Sequence, residues 1–320
     1  MNLTADCSRC VGLCCVAPAF VASADFAFTK PAGVACRHLA ADASCTIHDR
    51  LIPSGFPGCV AYDCFGAGQR VVALYGGGPR SAPMLSAYET VRQLHELLWY
   101  VADALSRPPA APVHGALADA RSAIESAIAG GPSSIEATDP AAHRATVAPL
   151  LRHASALTRA AVPSAAGRPG PDRRHPDRAS QAHQRADRNA TGRNLTKGDL
   201  AERDLSGPEP AGPDLDGPDL AGRDLAGRDL AGRDLAGRDL GRADLSTASL
   251  IGADLRGAGL QVADLLAADL RGAVLDGADL SGALYLTRTQ VGSARGSATT
   301  RLPDGLPRPA HWLTAGSSTP

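Results

Sequence analysis

A leucine at every fifth position constrains this chain most. Leu occupies positions 195, 200 and 205, then 215 and every fifth position to Leu280. Only Pro210 interrupts the series, and Tyr285 continues it. On an α-helix a five-residue step turns about 140° round the axis, so no apolar stripe forms. On a flat strand an odd step sends successive leucines to opposite faces. The period fits a chain that turns a corner every five residues and closes a square coil in four sides. Successive coils then stack at about 4.8 Å with every leucine inside. A short period held this long marks a solenoid.

The column two residues before each leucine divides the repeat. From Ala243 to Ala283 it is alanine at every step, small enough to lie inside beside the leucine. Upstream it reads Arg203, Pro208, Pro213, Pro218, Arg223, Arg228, Arg233 and Arg238. A guanidinium buried without a partner costs about several kcal/mol. Regular coils are therefore expected over 240–285 and loosely formed ones over 195–239. Past the repeat, Thr287 and Gln290 have the spacing of a capping box, which places a short helix at the open end of the solenoid.

The stretch ADLSTASLIGADLRGAGLQVADLLAADLRGAVLDGADL, 243–280, resembles the pentapeptide-repeat family, whose consensus is A-(D/N)-L-x-x. The resemblance implies a right-handed quadrilateral β-helix. It also implies a partner to weigh, because some members protect or inhibit DNA gyrase with acidic rods that resemble a duplex. Residues 195–285 carry seventeen Asp and Glu against nine Lys and Arg. Stacked coils would align these carboxylates in columns, which favours a basic protein partner.

All eight cysteines lie between 7 and 64: Cys7, Cys10, Cys14, Cys15, Cys36, Cys45, Cys59 and Cys64. In a reducing compartment such clustering points to metal rather than disulfides. Eight thiolates suffice for two four-sulfur sites, or for one site with spare thiols. Zinc takes four tetrahedral ligands and iron–sulfur clusters also take four cysteines, so spacing leaves zinc and iron both open. His38 and His48 adjoin this set; as neighbours of Cys36 and Cys45 they read as surface or supporting residues before ligands. The segments CSRCVGLCC, GVACRHL, CTIH and GCVAYDC, within 7–64, resemble the zinc- or iron-chelating CxxCxxCC domain. Three residues, not two, precede the doubled Cys14-Cys15. Some relatives of that domain are linked to flagellin lysine methylation, which keeps an enzymatic alternative in view. The glycines of FGAGQR (65–70) and GGGP (76–79) read as turns, without the frame of a phosphate loop.

Between these parts, apolar residues recurring at three and four predict a helix over 84–106, and two more are expected over 113–129 and 141–161. His95, Glu96 and Trp99 lie near the apolar face of the first and read as packing residues. From 163 to 193 the chain is rich in Pro, Gly and Arg, a basic disordered linker. No aromatics interleave there for base stacking, so direct nucleic-acid binding is not favoured. No apolar run is long enough to span a membrane and no signal peptide opens the chain, so a cytoplasmic protein is expected.

The expected architecture is multidomain. It comprises a small Cys-rich metal-binding lobe (1–80), an α-helical bundle (81–162), the linker (163–193), the quadrilateral β-helix (194–285), and a cap helix with an extended tail (286–320). The expected function is a noncatalytic interaction or scaffold protein that presents the acidic repeat surface. The alternatives are an iron–sulfur redox or protein-modifying enzyme and a gyrase-directed DNA mimic.

Overall fold

Proline, glycine and capping side chains set the bounds of the helices in the computed structural model, which describes residues 2–163 and 219–314. The linker expected over 163–193, beyond Pro163, and the coils expected over 194–218 lie outside the described residues. Two short helices, α1 (Pro57–Ala61) and α2 (Ala67–Leu74), belong to the cysteine segment. Helix α3 (Ala82–Leu105) starts at Ser81, whose Oγ accepts from the Met84 N–H at 3.5 Å. Pro83 sits in its first turn, where a missing donor is harmless. Its buried stripe of Met84, Ala87, Tyr88, Val91, Leu94, Leu98 and Val101 recurs at three and four.

Helix α4 (His114–Ala129) ends at Gly130-Gly131, where the positive φ of Gly131 turns the chain into α5 (Pro132–Glu136). Asp139 caps α6 (Pro140–Ala161), its Oδ1 accepting from the Ala141 N–H at 2.9 Å. Leu94, Val101, Leu117, Ile124, Val147 and Leu151 from α3, α4 and α6 form one core. No helix of the described residues is long and apolar enough to cross a membrane.

The repeat is built from turns. In each unit the leucine carbonyl accepts from the N–H three residues on, as from Arg223 to Leu220 at 3.2 Å. The third residue of that turn has positive φ, which glycine adopts freely at 222, 227, 232 and 237. Where an aspartate precedes the leucine it accepts, through Oδ1, from the N–H two residues on: Asp219 from Ala221 at 2.9 Å, Asp224 from Ala226 at 3.1 Å. AGRDL is thus a complete corner, with glycine for the bend and aspartate to fix it. One residue per side pairs with the neighbouring coil. Asp219 bridges Asp239, Asp239 bridges Gly259 and Gly259 bridges Asp279, all in parallel. Three further ladders start at Asp224, Asp229 and Asp234.

The expectation of a right-handed quadrilateral β-helix is corrected here. Among the described residues no β-strand forms, and the regular secondary structure is helical. A corner every five residues leaves single bridges, with no run of consecutive paired residues to make a strand. The expected looseness of 195–239 is corrected for its described part. Bridging begins at Asp219, and Leu220, Leu225, Leu230 and Leu235 are as buried as the later leucines. The arginines meet the packing objection by keeping their side chains out: Arg223 and Arg233 are exposed, and Arg228 and Arg238 half-buried. Their carbonyls stay in the ladder, as Arg223 O accepts from Asp244 N at 2.8 Å.

Residues 2–162 and 219–314 belong to one compact unit. Leu284 and Tyr285, at the end of the repeat, lie in the α3–α4–α6 core. Arg107, just past α3, donates to Asp103 Oδ1 at 2.7 Å and to the carbonyls of Gly282 and Ala283 at 3.0 Å each. Asp103 Oδ2 accepts from the Tyr285 N–H at 3.1 Å, and the Tyr285 hydroxyl donates to Leu151 O at 2.8 Å. Arg159 of α6 donates to Asp244 Oδ2 at 2.9 Å. Helix α7 (Arg288–Ser293) then closes the coil behind a complete Thr287–Gln290 capping box. A last turn, α8 (His311–Thr314), buries Trp312 against Gly296, with its Nε1 donating to Ala294 O at 3.1 Å.

Because the arginine coil is closed, Leu225→Lys should be as damaging as Leu265→Lys. Each should lower stability by about 3 kcal/mol or more, read from urea midpoints of the full chain. A tolerated Leu225→Lys would mean that the first described coil is loose.

A second prediction concerns Asp264, which is 1% exposed where the coil meets the helices. Burial pushes its carboxyl up, against the opposing hydrogen bonds from Ser155 and the Leu266 N–H and the charge of Arg159. A raised folded-state value means that its contribution to stability is present at low pH and is lost as pH rises through that value. Asp264→Asn keeps an oxygen for the Leu266 N–H. It should raise the melting temperature at about pH 7 by about 4 °C and change it little at about pH 4. Equal shifts at the two pH values would show that the buried charge is not the cause.

Candidate functional site

The cysteine segment is folded by turns, a buried lysine and a knot of phenylalanines. Asp6 Oδ1 accepts from the Ser8 N–H at 3.2 Å and fixes the short turn Cys7–Arg9. Gly12 adopts positive φ where a Cβ would meet Leu39 at 2.7 Å, and it starts the turn Leu13–Cys15. Phe20, Phe26, Phe28 and Phe56 stack on one another, with Phe20–Phe26 centroids 4.5 Å apart. Leu13, Val71, Met84, Tyr88 and Val91 bind this segment to the start of α3.

Within that frame the eight cysteines divide at Cys14-Cys15. Cys7, Cys10, Cys14 and Cys64 line one cavity of about 20 Å³, together with Asp6, Gly68, Gln69 and Tyr88. That is room for one ion or one water. A Cβ at Gly68 would lie 2.7 Å from Cys10 Sγ, so glycine is what admits that thiol beside α2. Cys15, Cys36, Cys45 and Cys59 form the other set. Cys36 N donates to Cys15 O at 2.9 Å, and Cys45 pairs with Leu39 in a single antiparallel bridge. The Cys45 thiol feels Cys15 and Cys36, and the Cys59 thiol feels Cys15, Cys36 and Cys45. No cysteine is in a disulfide.

Cys15 couples the two sets electrostatically, acting on Cys7 and Cys14 as well as on Cys45 and Cys59. The Cys14 thiol donates to Cys15, which pulls Cys15 down to about 7, helped by Lys30 and Arg80, and pushes Cys14 up. Burial pushes Cys59 up to about 12. Lys30 is 3% exposed, and its ammonium donates to Val16 O at 3.0 Å, Pro31 O at 3.0 Å and Val34 O at 2.8 Å. Burial pulls Lys30 below an ordinary lysine, while Cys36 and Cys15 pull it the other way. A fixed cation thus stands beside the second set of thiols.

Among the described residues no group of three or more His, Cys, Asp or Glu is arranged to hold a metal ion. The expectation of a metal, zinc or iron–sulfur centre is corrected in one respect: among the described residues none is preformed. Four cysteines nevertheless line one small cavity, and cysteine sulfurs in fours are the donors that zinc and iron–sulfur clusters take. The histidines stand aside. His38 packs edge-on against Phe56 at 5.3 Å, and His48 is exposed. His95 is fully buried and donates from Nδ1 to Phe65 O at 2.7 Å; burial pulls it down to about 4 and keeps it neutral.

No sequence pattern marks Lys30 or Tyr88 as site residues, and Gly68, expected in a turn, lies in α2. One signal was available: all five phenylalanines fall between 20 and 65, inside the cysteine segment.

The repeat surface does not serve as expected either. The aspartates of the turns hold their own backbone, and Asp254 and Asp269 are salt-bridged to Arg256 and Arg271. Asp244 and Asp264 face Arg159 and the helices. Without a strand-built rod, and with these carboxylates engaged, the scaffold and DNA-mimic readings drawn from an acidic repeat surface are overturned.

Comparison with known proteins agrees on the class of the repeat. Residues 229–265 and 248–284 match the family described as pentapeptide repeats, in 8 copies. Over residues 229–284 the chain is similar to pentapeptide repeats. A curated relative, the uncharacterized protein YybG of Bacillus subtilis, is 41% identical over 166 residues, which is 50% of this chain. The chain spans 60% of the length of that relative. Among solved structures, the pentapeptide repeat protein Rfr23 from the cyanobacterium Cyanothece 51142 is 36% identical over 26% of this chain and 56% of its own, with a TM-score of 0.25. The pentapeptide repeat protein alr5209 from Nostoc is 36% identical over 28% of this chain and 77% of its own, with a TM-score of 0.17.

Lys30→Met should remove the ammonium from three carbonyls, of which Val16 O keeps the Gly33 N–H at 3.0 Å and Pro31 O the Val34 N–H at 3.4 Å. It should lower the stability of the cysteine segment by about 3 kcal/mol, read as faster amide exchange over 16–34. Unchanged exchange there would mean that the ammonium does not hold the loop.

Proposed function

We propose that the cysteine segment binds zinc or iron through two four-thiol sets, Cys7, Cys10, Cys14 and Cys64 in one and Cys15, Cys36, Cys45 and Cys59 in the other. The observation that carries this reading is the cavity of about 20 Å³ walled by four cysteines from two separate stretches of chain. The buried Lys30 supports it, because a four-thiolate set around a divalent ion keeps negative charge that a fixed cation offsets. Metal binding releases the thiol protons and draws the sulfurs together, so the separated thiols are compatible with it. In this reading metal is part of the folding of the segment, which has too few residues for a large core of its own.

The test is metal content and visible absorption of the full chain purified without oxygen. The expected result is two equivalents, with Cys14→Ser and Cys15→Ser each retaining about one. Absence of colour identifies zinc, and absorption in the visible identifies iron. Protein without bound metal, and without uptake of added zinc or ferrous iron under reducing conditions, would end the reading.

A further inference from the structure

The helix that closes the repeat also rests on the segment that joins the two thiol sets. Gly292 of α7 lies so near α1 that a Cβ there would meet Ala61 Cα at 3.1 Å and Val60 O at 3.2 Å. Both are backbone atoms, which cannot swing aside. Arg288, at the start of α7, places Nη1 3.7 Å from Asp63 Oδ2 and donates from Nη2 to Thr4 Oγ1 at 3.3 Å. Its guanidinium also lies 5.7 Å from the Trp99 ring centroid. Asp63 is itself held, its Oδ1 accepting from the Phe65 N–H at 2.7 Å.

The opposite side of α7 belongs to the coil. Gln290 Nε2 donates to Leu265 O at 2.7 Å and Ala268 O at 3.0 Å, and Ser293 O accepts from Gly272 N at 2.8 Å. Residues 59–64 begin at a cysteine of one set and end at a cysteine of the other. One short helix therefore touches the link between the thiol sets on one side and the last coil on the other.

We propose that α7 couples the occupancy of the thiol sets to the closure of the repeat. Drawing Cys59 and Cys64 to their respective metals fixes 59–64, and fixed 59–64 holds α7 in the coil end. Releasing them loosens α7 and exposes the carbonyls of Leu265 and Ala268. Linkage makes the coupling reciprocal, so breaking the α7 contact also loosens the thiols. The first half of the proposal rests on the metal reading above; the second half does not.

The experiment uses reduced full-length chain, with zinc ion alone as the probe, and follows amide exchange over 265–300. With zinc bound at measured stoichiometry, exchange there should slow on the order of tenfold relative to chelator-treated protein. Arg288→Ala and Gly292→Val should bind zinc yet lose that response; Arg288→Ala serves if Gly292→Val does not fold. Zinc binding without a change in exchange over 265–300, or variants that respond like the parent, would overturn the coupling.

If the parent chain takes up no zinc, the metal reading fails and the reciprocal half decides. Iodoacetamide should then label Cys64 several times faster in Arg288→Ala than in the parent, with a small free thiol in the same solution as the control. Equal rates would overturn the proposal in that case too.

Discussion

The clamp between Asp103 and Arg107 is the interaction on which the rest of the structure depends. The pair sits at the end of α3, one helical turn apart, and both side chains are spent on the other half of the chain. Arg107 takes two carbonyls at the end of the repeat, and Asp103 takes the next N–H. Tyr285 is thereby turned into the helical core, where it meets Tyr100 edge-on and reaches Leu151. A stack of turns has little apolar surface beyond its own leucine column. Docking its last side on α3 and α6 gives it a core shared with the helices, and the helices gain a wall for the open side of their bundle.

The same clamp explains why the cysteine segment, the bundle and the repeat are described as parts of one unit. Tyr88 and Val91 near the start of α3 pack on the cysteine segment, while Tyr100 and Val101 near its end pack in the core that holds Tyr285. Helix α7 adds a second crossing between the outer parts. The structure is a closed arrangement in which each part touches the other two, unlike a string of modules joined by linkers.

Much of the local structure was legible in the sequence. The five-residue period gives the corners, alanine in the column before leucine gives the tight interior, and Thr287 with Gln290 gives the cap, because each rule acts within a few residues. The spans of α3, α4 and α6 follow from their apolar stripes, whereas α1, α2 and α5 are too short to show one. The arginine coil is regular against expectation because at these positions only the backbone lies in the ladder and the side chains point outward. The β-helix is what the family resemblance implies, whereas a corner every five residues leaves single bridges between coils and no strand among the described residues. The contacts of Lys30 with Val16 and Val34, and of Gly68 with Cys10, depend on loops whose path no local pattern records. The Asp103–Tyr285 and Arg107–Gly282 contacts join residues more than 170 positions apart. Nothing in the periodicity of either partner marks them.

The four identical corners from 221 to 240 have a consequence for how such a gene can change. Each AGRDL is one side of the square, and the sides are interchangeable as local structure. Adding or deleting one copy would rotate the point where the coil begins by a quarter turn relative to the helices fixed at its far end. Adding or deleting four would restore the original facing and alter only the height of the stack. Copy number in this tract therefore has a natural modulus of four, imposed by the square section: it sets the face on which the coil begins, while the contacts of Arg159 with Asp244 and of Asp103 with Tyr285, downstream of the tract, are common to every copy number.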